Sequence, residues 1–592
     1  ILGLFSSYGS TAFILDIFAG QFSTLSLFSS NSMNPLYQTV RRERIPVNTF
    51  PAGGERKLSM KMGQIIPIYC EETLPGDIFR ASTELLIKFA PLKAPVMHRI
   101  RAYVDYFFVP NFQICKSFDQ FINPRINTAA NPVILPYIRP YDAHTYLNQL
   151  EKGCLADYLD LPVQQTAWKQ SEISDPLSVL PFRAYQHVYN SYFRDQTLQP
   201  MEGVSPDETD LYLMQDLDKQ GDVLVTPEDQ DPPIGLEEQI TNMLQLRYSA
   251  WKKDYFTSAL PTPQAGEEVE VPFTPGVIRG TGLPMKFEDL ESGGPYQEQS
   301  MPAGFNDNED GTFDIFMETS DATPSMGYAS GLEIVPAADG ASSLSINGLR
   351  QLFALQHFKE LQGRGGSRYP EVVHNFFGVQ LPDLYVDRPA YLGGMYQDVA
   401  IGEVLQTSQT TLGESGSAQG YRAGVASVYG KSKTLRYRCR MHGFILGVLR
   451  VLPEATYMQG VERMWTRTSL FDYAWPQFAN IGEQEIYNRE IYVDGTDKDR
   501  EVFGYAPRYA EYKTGCSHVN GEFRDDLSYW HFGRKFQDRP LLNEDFIKAD
   551  QISTDPFNVT SNDVDKLYVH MYTKAAVRRS LPYYGTPGLT KL

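Results

Sequence analysis

The chain of 592 residues is poor in cysteine, in positive charge and in catalytic signatures. Its five cysteines, Cys70, Cys115, Cys154, Cys439 and Cys516, lie far apart, are odd in number and include no C-x-x-C pair. That spacing speaks against a disulfide framework and a zinc site, and it fits free thiols in a reducing compartment. Lysine and arginine number 53 against 72 aspartate and glutamate, a net charge of −19, which over the whole chain argues against a generic nucleic-acid binder. H-E-x-x-H, G-x-S-x-G and H-x-E followed by P-C-x-x-C are all missing, and the nine histidines are scattered. The nearest approach to a phosphate loop is GVASVYGKS, Gly424 to Ser432. Five residues separate Gly424 from Gly430 where the P-loop needs four, and the residues after Ser432 are strand-like where a helix is required. The expectation is a chain without enzymatic chemistry, cofactor or metal site.

Long apolar runs are also scarce. Residues 1–32 are apolar and Ser-rich, begin with Ile1 and contain one charged residue, Asp16. They lack the positive start of a signal peptide, and Ser, Gly and Asp interrupt them too often for a spanning helix. The first methionine is Met33, so residues 1–32 read as upstream sequence carried into the chain or as an arm.

What the chain has in quantity is 46 Gly, 39 Pro, 36 Tyr and 34 Phe, the composition of many short strands joined by turns. Residues 84–110 read as two strands, the second alternating Ile100, Ala102, Val104, Tyr106 and Phe108 with Arg99, Arg101, Tyr103 and Asp105. That period of two predicts one face on the core and one on something polar. Pro181 to Phe193 instead has helical spacing, and a second helix is predicted from Ile346 to Leu361, ended by Gly363. In KTLRYRCRMH, Leu435, Tyr437, Cys439 and Met441 alternate with Arg436, Arg438, Arg440 and His442. Such a ladder of like charges must face the carboxylates of a neighbour or phosphates.

The acidity is concentrated. Residues 200–340 hold 28 Asp and Glu against 6 Lys and Arg, net −22, which leaves the remainder at +3. This section is rich in Gly, Pro, Asn and Ser, as exposed loops are.

Several strings, in chain order, resemble the major capsid protein of the microviruses, small icosahedral single-stranded DNA phages, and in particular their gokushovirus branch. They are MGQIIPIYCEETLPGDIF from Met62, LPFRAYQHVYNSYFRDQTLQ from Leu180, KKDYFTSALPTPQAG from Lys252, and GRGGSRYPEVVHNFFGVQLPDLYVDRPAYLGG from Gly363. TYMQGVERMWTRTSLFDYAWPQFANIGEQEIYNREIY from Thr456, VFGYAPRYAEYKT from Val502 and the tail LPYYGTPGL complete the set. The resemblance runs from about residue 33 to the end, apart from the acidic stretches.

It implies a mainly β fold, an eight-stranded antiparallel jelly roll with long insertions and a few helices, as a single domain over 33–592. Within that domain, 200–266 would be an acidic connecting insertion and 267–340 a variable surface protrusion, net −13. It further implies sixty copies in a T=1 shell around circular single-stranded DNA, in a virion assembled in the host bacterial cytoplasm. A small basic DNA-associated virion protein and a scaffolding protein are the implied partners, and a host surface receptor would meet the protrusion. Candidate DNA contacts are Arg41, Arg42 and Arg44, then Arg436, Arg438 and Arg440, where this chain is more basic than the stretch it resembles. The alternative from another class is a secreted β-rich carbohydrate-binding or glycan-cleaving protein, because acidity with exposed aromatics is also the look of a sugar site.

Overall fold

The computed structural model describes residues 46–122, 133, 135–145, 150–171, 175–200, 241–264, 388–405, 422–561 and 563–584, with a helix at 346–364 and four strands between 276 and 336. Alternating apolar and polar residues build its strands. The chain supplies β1 (Asn48–Pro51), β2 (Gly54–Met60), β3 (Ile66–Thr73), β4 (Ile78–Phe89) and β5 (Ile100–Pro110). After helix α1 (Leu180–Val188) and helix α2 (Ile346–Arg364) come β6 (Ala390–Asp398), β7 (Ala400–Leu405), β8 (Arg422–Lys431), β9 (Leu435–Arg438) and β10 (Gly443–Pro453). A small pair, β11 (Glu483–Tyr487) and β12 (Val502–Pro507), precedes the long β13 (Leu567–Arg579).

These strands form the antiparallel, jelly-roll-type sandwich that the resemblance implies. One sheet has seven strands in the order β1-β13-β4-β8-β7, with β2 sharing β13's edge with β1, and β9 sharing β4's edge with β8. The other has four, β6-β5-β10-β3. Between them lies the main core, which includes Phe79, Leu85 and Ile87 of β4, Val104, Tyr106 and Phe108 of β5, Ile445, Leu449 and Val451 of β10, and Val569, Met571 and Val577 of β13. Each such side chain contributes about 1.5–3 kcal/mol by leaving water.

The two sheets differ in what covers their outer faces. Phe107 and Val109 of β5 and Leu446 and Val448 of β10 turn away from the main core and pack with Phe182, Tyr185, Val188 and Tyr189 in a second cluster. This is why β10, GFILGVLRVLP, is apolar nearly throughout: both of its faces are covered. The same packing limits the polar face expected of β5. It stays polar through Arg101, Tyr103 and Asp105, and from Phe107 onward both faces are buried. No comparable layer covers the outer face of the seven-stranded sheet among the described residues.

Three further expectations meet the structure. The helix at Leu180 continues from Val188 into a π-helical turn, Tyr189–Phe193. Helix α2 runs through Gly363 to Arg364, so that glycine lies inside the last turn rather than beyond it. Residues 267–340, expected as loop, include two antiparallel strand pairs, 276–280 with 332–336 and 303–307 with 313–317.

None of the five cysteines is in a disulfide. Burial pushes the thiols of Cys70 and Cys439 up to about 12, so they stay protonated and inert at neutral pH.

Candidate nucleic-acid interface

The outer face of the seven-stranded sheet is set by what its strands bury. In β13 the side chains of Leu567, Val569, Met571, Thr573, Ala575 and Val577 are buried, which turns Tyr568, His570, Tyr572, Lys574, Ala576 and Arg578 outward. In β4, Phe79, Ala81, Thr83, Leu85 and Ile87 point inward, and Arg80, Ser82, Glu84, Leu86 and Lys88 point outward. β9 behaves as its alternation predicts: Tyr437 and Leu435 are half-buried, Cys439 just beyond is buried, and Arg436, Arg438 and Arg440 are exposed.

Strand pairing brings distant residues together. Arg436 lies directly opposite Arg80, and Arg80 is opposite Ala576. One row along, Arg438 is opposite Ile78, which is opposite Arg578. Neighbouring strands stand about 4.8 Å apart and successive outward residues of one strand about 6.7 Å, so these guanidinium stems share a small area. Among the described residues, the side chains of Arg80, Arg436, Arg438, Arg440, Lys574 and Arg578 have no ion-pair partner.

The other end of the face is balanced. Lys431 lies 2.7 Å from Glu84, and Glu55 takes Lys57 at 3.5 Å and His570 at 3.6 Å. Tyr429, 70% exposed, and the exposed Tyr568 and Tyr572 stand between these charges. Like charges opposite each other in a sheet cost roughly 0.2–1 kcal/mol per pair. The face therefore combines unneutralised guanidinium groups with exposed rings, the pairing of features that holds a sugar-phosphate backbone and stacks its bases.

Of the residues singled out in the sequence, Arg436, Arg438 and Arg440 sit together on this face. Arg41, Arg42 and Arg44 lie outside the described residues. Arg80, Lys574, Arg578 and the three tyrosines are additions, and the alternation of LYVHMYTKAAVRR carried the signal for four of them. The glycines of GVASVYGKS belong to β8 and form no phosphate loop. Gly424 is required by close packing, because a Cβ there would stand 2.2 Å from the carbonyl oxygen of Ala94.

A separate cavity of about 660 Å³ lies where β5 and β10 meet residues 249–260. Its carboxylates are engaged: Asp195 pairs with Lys253, and Glu454 lies 3.4 Å from Lys252. Arg450 stacks over Tyr103 and Phe193 at 4.6 and 4.9 Å, and burial holds its pKa below the usual arginine value while Asp105 opposes that shift. These contacts use the carboxylates as ion-pair partners within the subunit.

A jelly-roll-type sandwich with one sheet wrapped by insertions and the other presenting a bare, basic outer face is the construction of a viral shell subunit. The family comparison agrees. The chain belongs to the capsid protein (F protein) family of phages, whose model matches residues 37–589. It is 30% identical to capsid protein VP1 of Bdellovibrio phage phiMH2K, over 90% of this chain and 93% of that protein. It is also 30% identical to capsid protein VP1 of Chlamydia phage 1, over 94% and 96% of the two chains. Capsid protein VP1 of Spiroplasma virus 4 is 28% identical over 90% and 94%. The chain is thus a microvirus-type structural capsid protein and a component of the virion, built to assemble in many copies.

Proposed function

We propose that this protein assembles in sixty copies into a closed T=1 icosahedral shell that packages circular single-stranded DNA, with the bare face of the seven-stranded sheet turned toward the genome. The observation that carries the reading is the cluster of Arg80, Arg436, Arg438 and Arg578, solvent-facing and without carboxylate partners among the described residues. A shell that encloses a polyanion needs such a surface on its inner side, and a sequence-independent contact suits a whole genome better than base readout does. β1 begins four residues after Arg44 and pairs with the Arg578 end of β13, which supports the proposal that Arg41, Arg42 and Arg44 join the same contact. The acidic residues 267–340 would form the outward protrusion, where a net charge of −13 keeps particles apart and offers a charged surface to a host receptor.

Electron microscopy and density-gradient analysis of particles made in a bacterial host test this reading. Closed shells of uniform diameter with a denser, nuclease-protected DNA-containing fraction are expected. Folded monomers with no shell in any fraction would sink it.

A further inference from the structure

The segment between Val461 and Ile481 exposes an unusual amount of apolar surface in a rigid frame. Trp465 is 75% exposed, Phe471 65%, Leu470 63%, Ile481 63% and Tyr473 54%. These side chains do not belong to a loose loop. Ser469 and Asp472 close a capping box over a 3₁₀ turn, the indole of Trp475 donates to the carbonyl of Leu470 at 3.0 Å, and Phe471 packs against Phe478 at 6.0 Å between ring centroids. Exposed rings held in one conformation have already lost most of the entropy that binding would cost.

Beside them opens a cavity of about 490 Å³ whose wall includes Phe471 and five arginines, Arg463, Arg467, Arg489, Arg500 and Arg508. Its two carboxylates are occupied. Asp472 accepts from the backbone N–H groups of Thr468 and Ser469 at 2.8 and 2.7 Å, and Glu511 is held by Arg467 at 3.2 Å and by Gln484 at 2.5 Å. Donors are left over. The Arg467 side chain is only 10% exposed, and its Nε, like those of Arg489 and Arg508, is buried without a hydrogen-bond partner. Arg500 has no ion-pair partner among the described residues. A carboxylate entering the cavity would form charge-assisted hydrogen bonds with the guanidinium groups that line it.

We infer that this face is an interface between copies of the chain, in which the exposed rings of one copy pack on a second copy and a carboxylate of that copy enters the arginine cavity. Three observations favour a second copy over nucleic acid. Leu470 and Ile481 offer aliphatic surface that bases and phosphates do not use, while clustered aromatics with arginine are the composition of protein interfaces. Residues 455–515 carry ten Asp and Glu against seven Lys and Arg, so the segment has no excess of positive charge to hold a DNA strand outside the cavity. A second copy of a chain with 72 Asp and Glu supplies carboxylates beyond the two already occupied in the cavity.

The inference rests on the shell-assembly reading, and hydroxyl-radical footprinting by mass spectrometry separates the two. Oxidation of Trp465 and Phe471 is compared between dissociated subunits, DNA-filled particles and empty particles from the same gradient. Protection of about fivefold or more in both kinds of particle is expected, as at the water-excluded centre of an interface. Equal oxidation in particles and subunits overturns the inference and leaves the assembly reading standing. Protection present only in filled particles also overturns it, because DNA would then be the cover. Absence of particles from the unaltered chain overturns both. A Trp465→Glu/Phe471→Glu variant that sediments as folded subunits and gives at least about tenfold fewer shells supports the same conclusion; a normal shell yield from it overturns it.

Discussion

Replacing Arg80, Arg436, Arg438 and Arg578 together with alanine is expected to leave shells closed while the DNA-filled fraction falls steeply. All four side chains stand on the solvent face of the seven-stranded sheet, and their removal opens no cavity in the core. The effect should therefore be electrostatic. For single strands each phosphate contact adds roughly 0.7 to the slope of log affinity against log salt, so four lost contacts should flatten that slope by about 3. Oligonucleotide binding to dissociated subunits across a salt series measures it, and gradient sedimentation measures packaging. The subunit itself should be no less stable, since Arg436 and Arg80 oppose each other and relief of one like-charge pair returns roughly 0.2–1 kcal/mol. Normal packaging with an unchanged slope would show that the face meets protein carboxylates of a neighbouring subunit. Replacing Arg41, Arg42 and Arg44 tests the N-terminal candidates in the same assay.

How far this surface is legible from the amino-acid order depends on its construction. The alternation around Arg436, Arg438 and Arg440 discloses a polar face because a strand's side-chain period is local. It does not disclose which strands lie alongside. Arg80 precedes Arg436 by more than three hundred residues and Arg578 comes more than one hundred residues later, and only the shared pairing with β4 unites them. The same limit explains β5, whose Arg101-Tyr103-Asp105 face is polar as its pattern predicts until α1 and its neighbours cover Phe107 and Val109. Helix α1 and the strands around residues 84–110 were legible, since each carries its period within a few turns or pleats. The antiparallel pairs in the acidic section were not, because their composition resembles loops and the partner of 276–280, at 332–336, is set by pairing across the insertion. Whole-chain charge misled in a related way: the acidity of residues 200–340 concealed a face built from residues on either side of it in sequence.

Phe79→Ala is expected to reduce the yield of folded protein severely. Phe79 is fully buried on the inward face of β4, 5.7 Å from the Tyr69 ring of the opposite sheet, and it sits between the outward Ile78 and Arg80 of the basic face. Truncating a buried phenylalanine costs about 3–5 kcal/mol, a large share of the roughly 5–15 kcal/mol that holds a domain together. Tyr106→Phe provides the graded comparison at the same layer. The Tyr106 hydroxyl lies 2.6 Å from that of Thr83 on β4 and 3.5 Å from that of Thr573 on β13, so one phenol on the four-stranded sheet ties together two strands of the other. Burial raises the Tyr106 pKa above the ordinary tyrosine value, so the phenol is protonated at neutral pH. Loss of that hydroxyl leaves the buried Thr83 hydroxyl without this partner at a cost of about 1–3 kcal/mol, enough to lower the midpoint of chemical denaturation but not to prevent folding. Soluble yield and denaturation of dissociated subunits distinguish the two. A Phe79→Ala chain that folds and assembles normally would mean that the two sheets are held together by something other than this core.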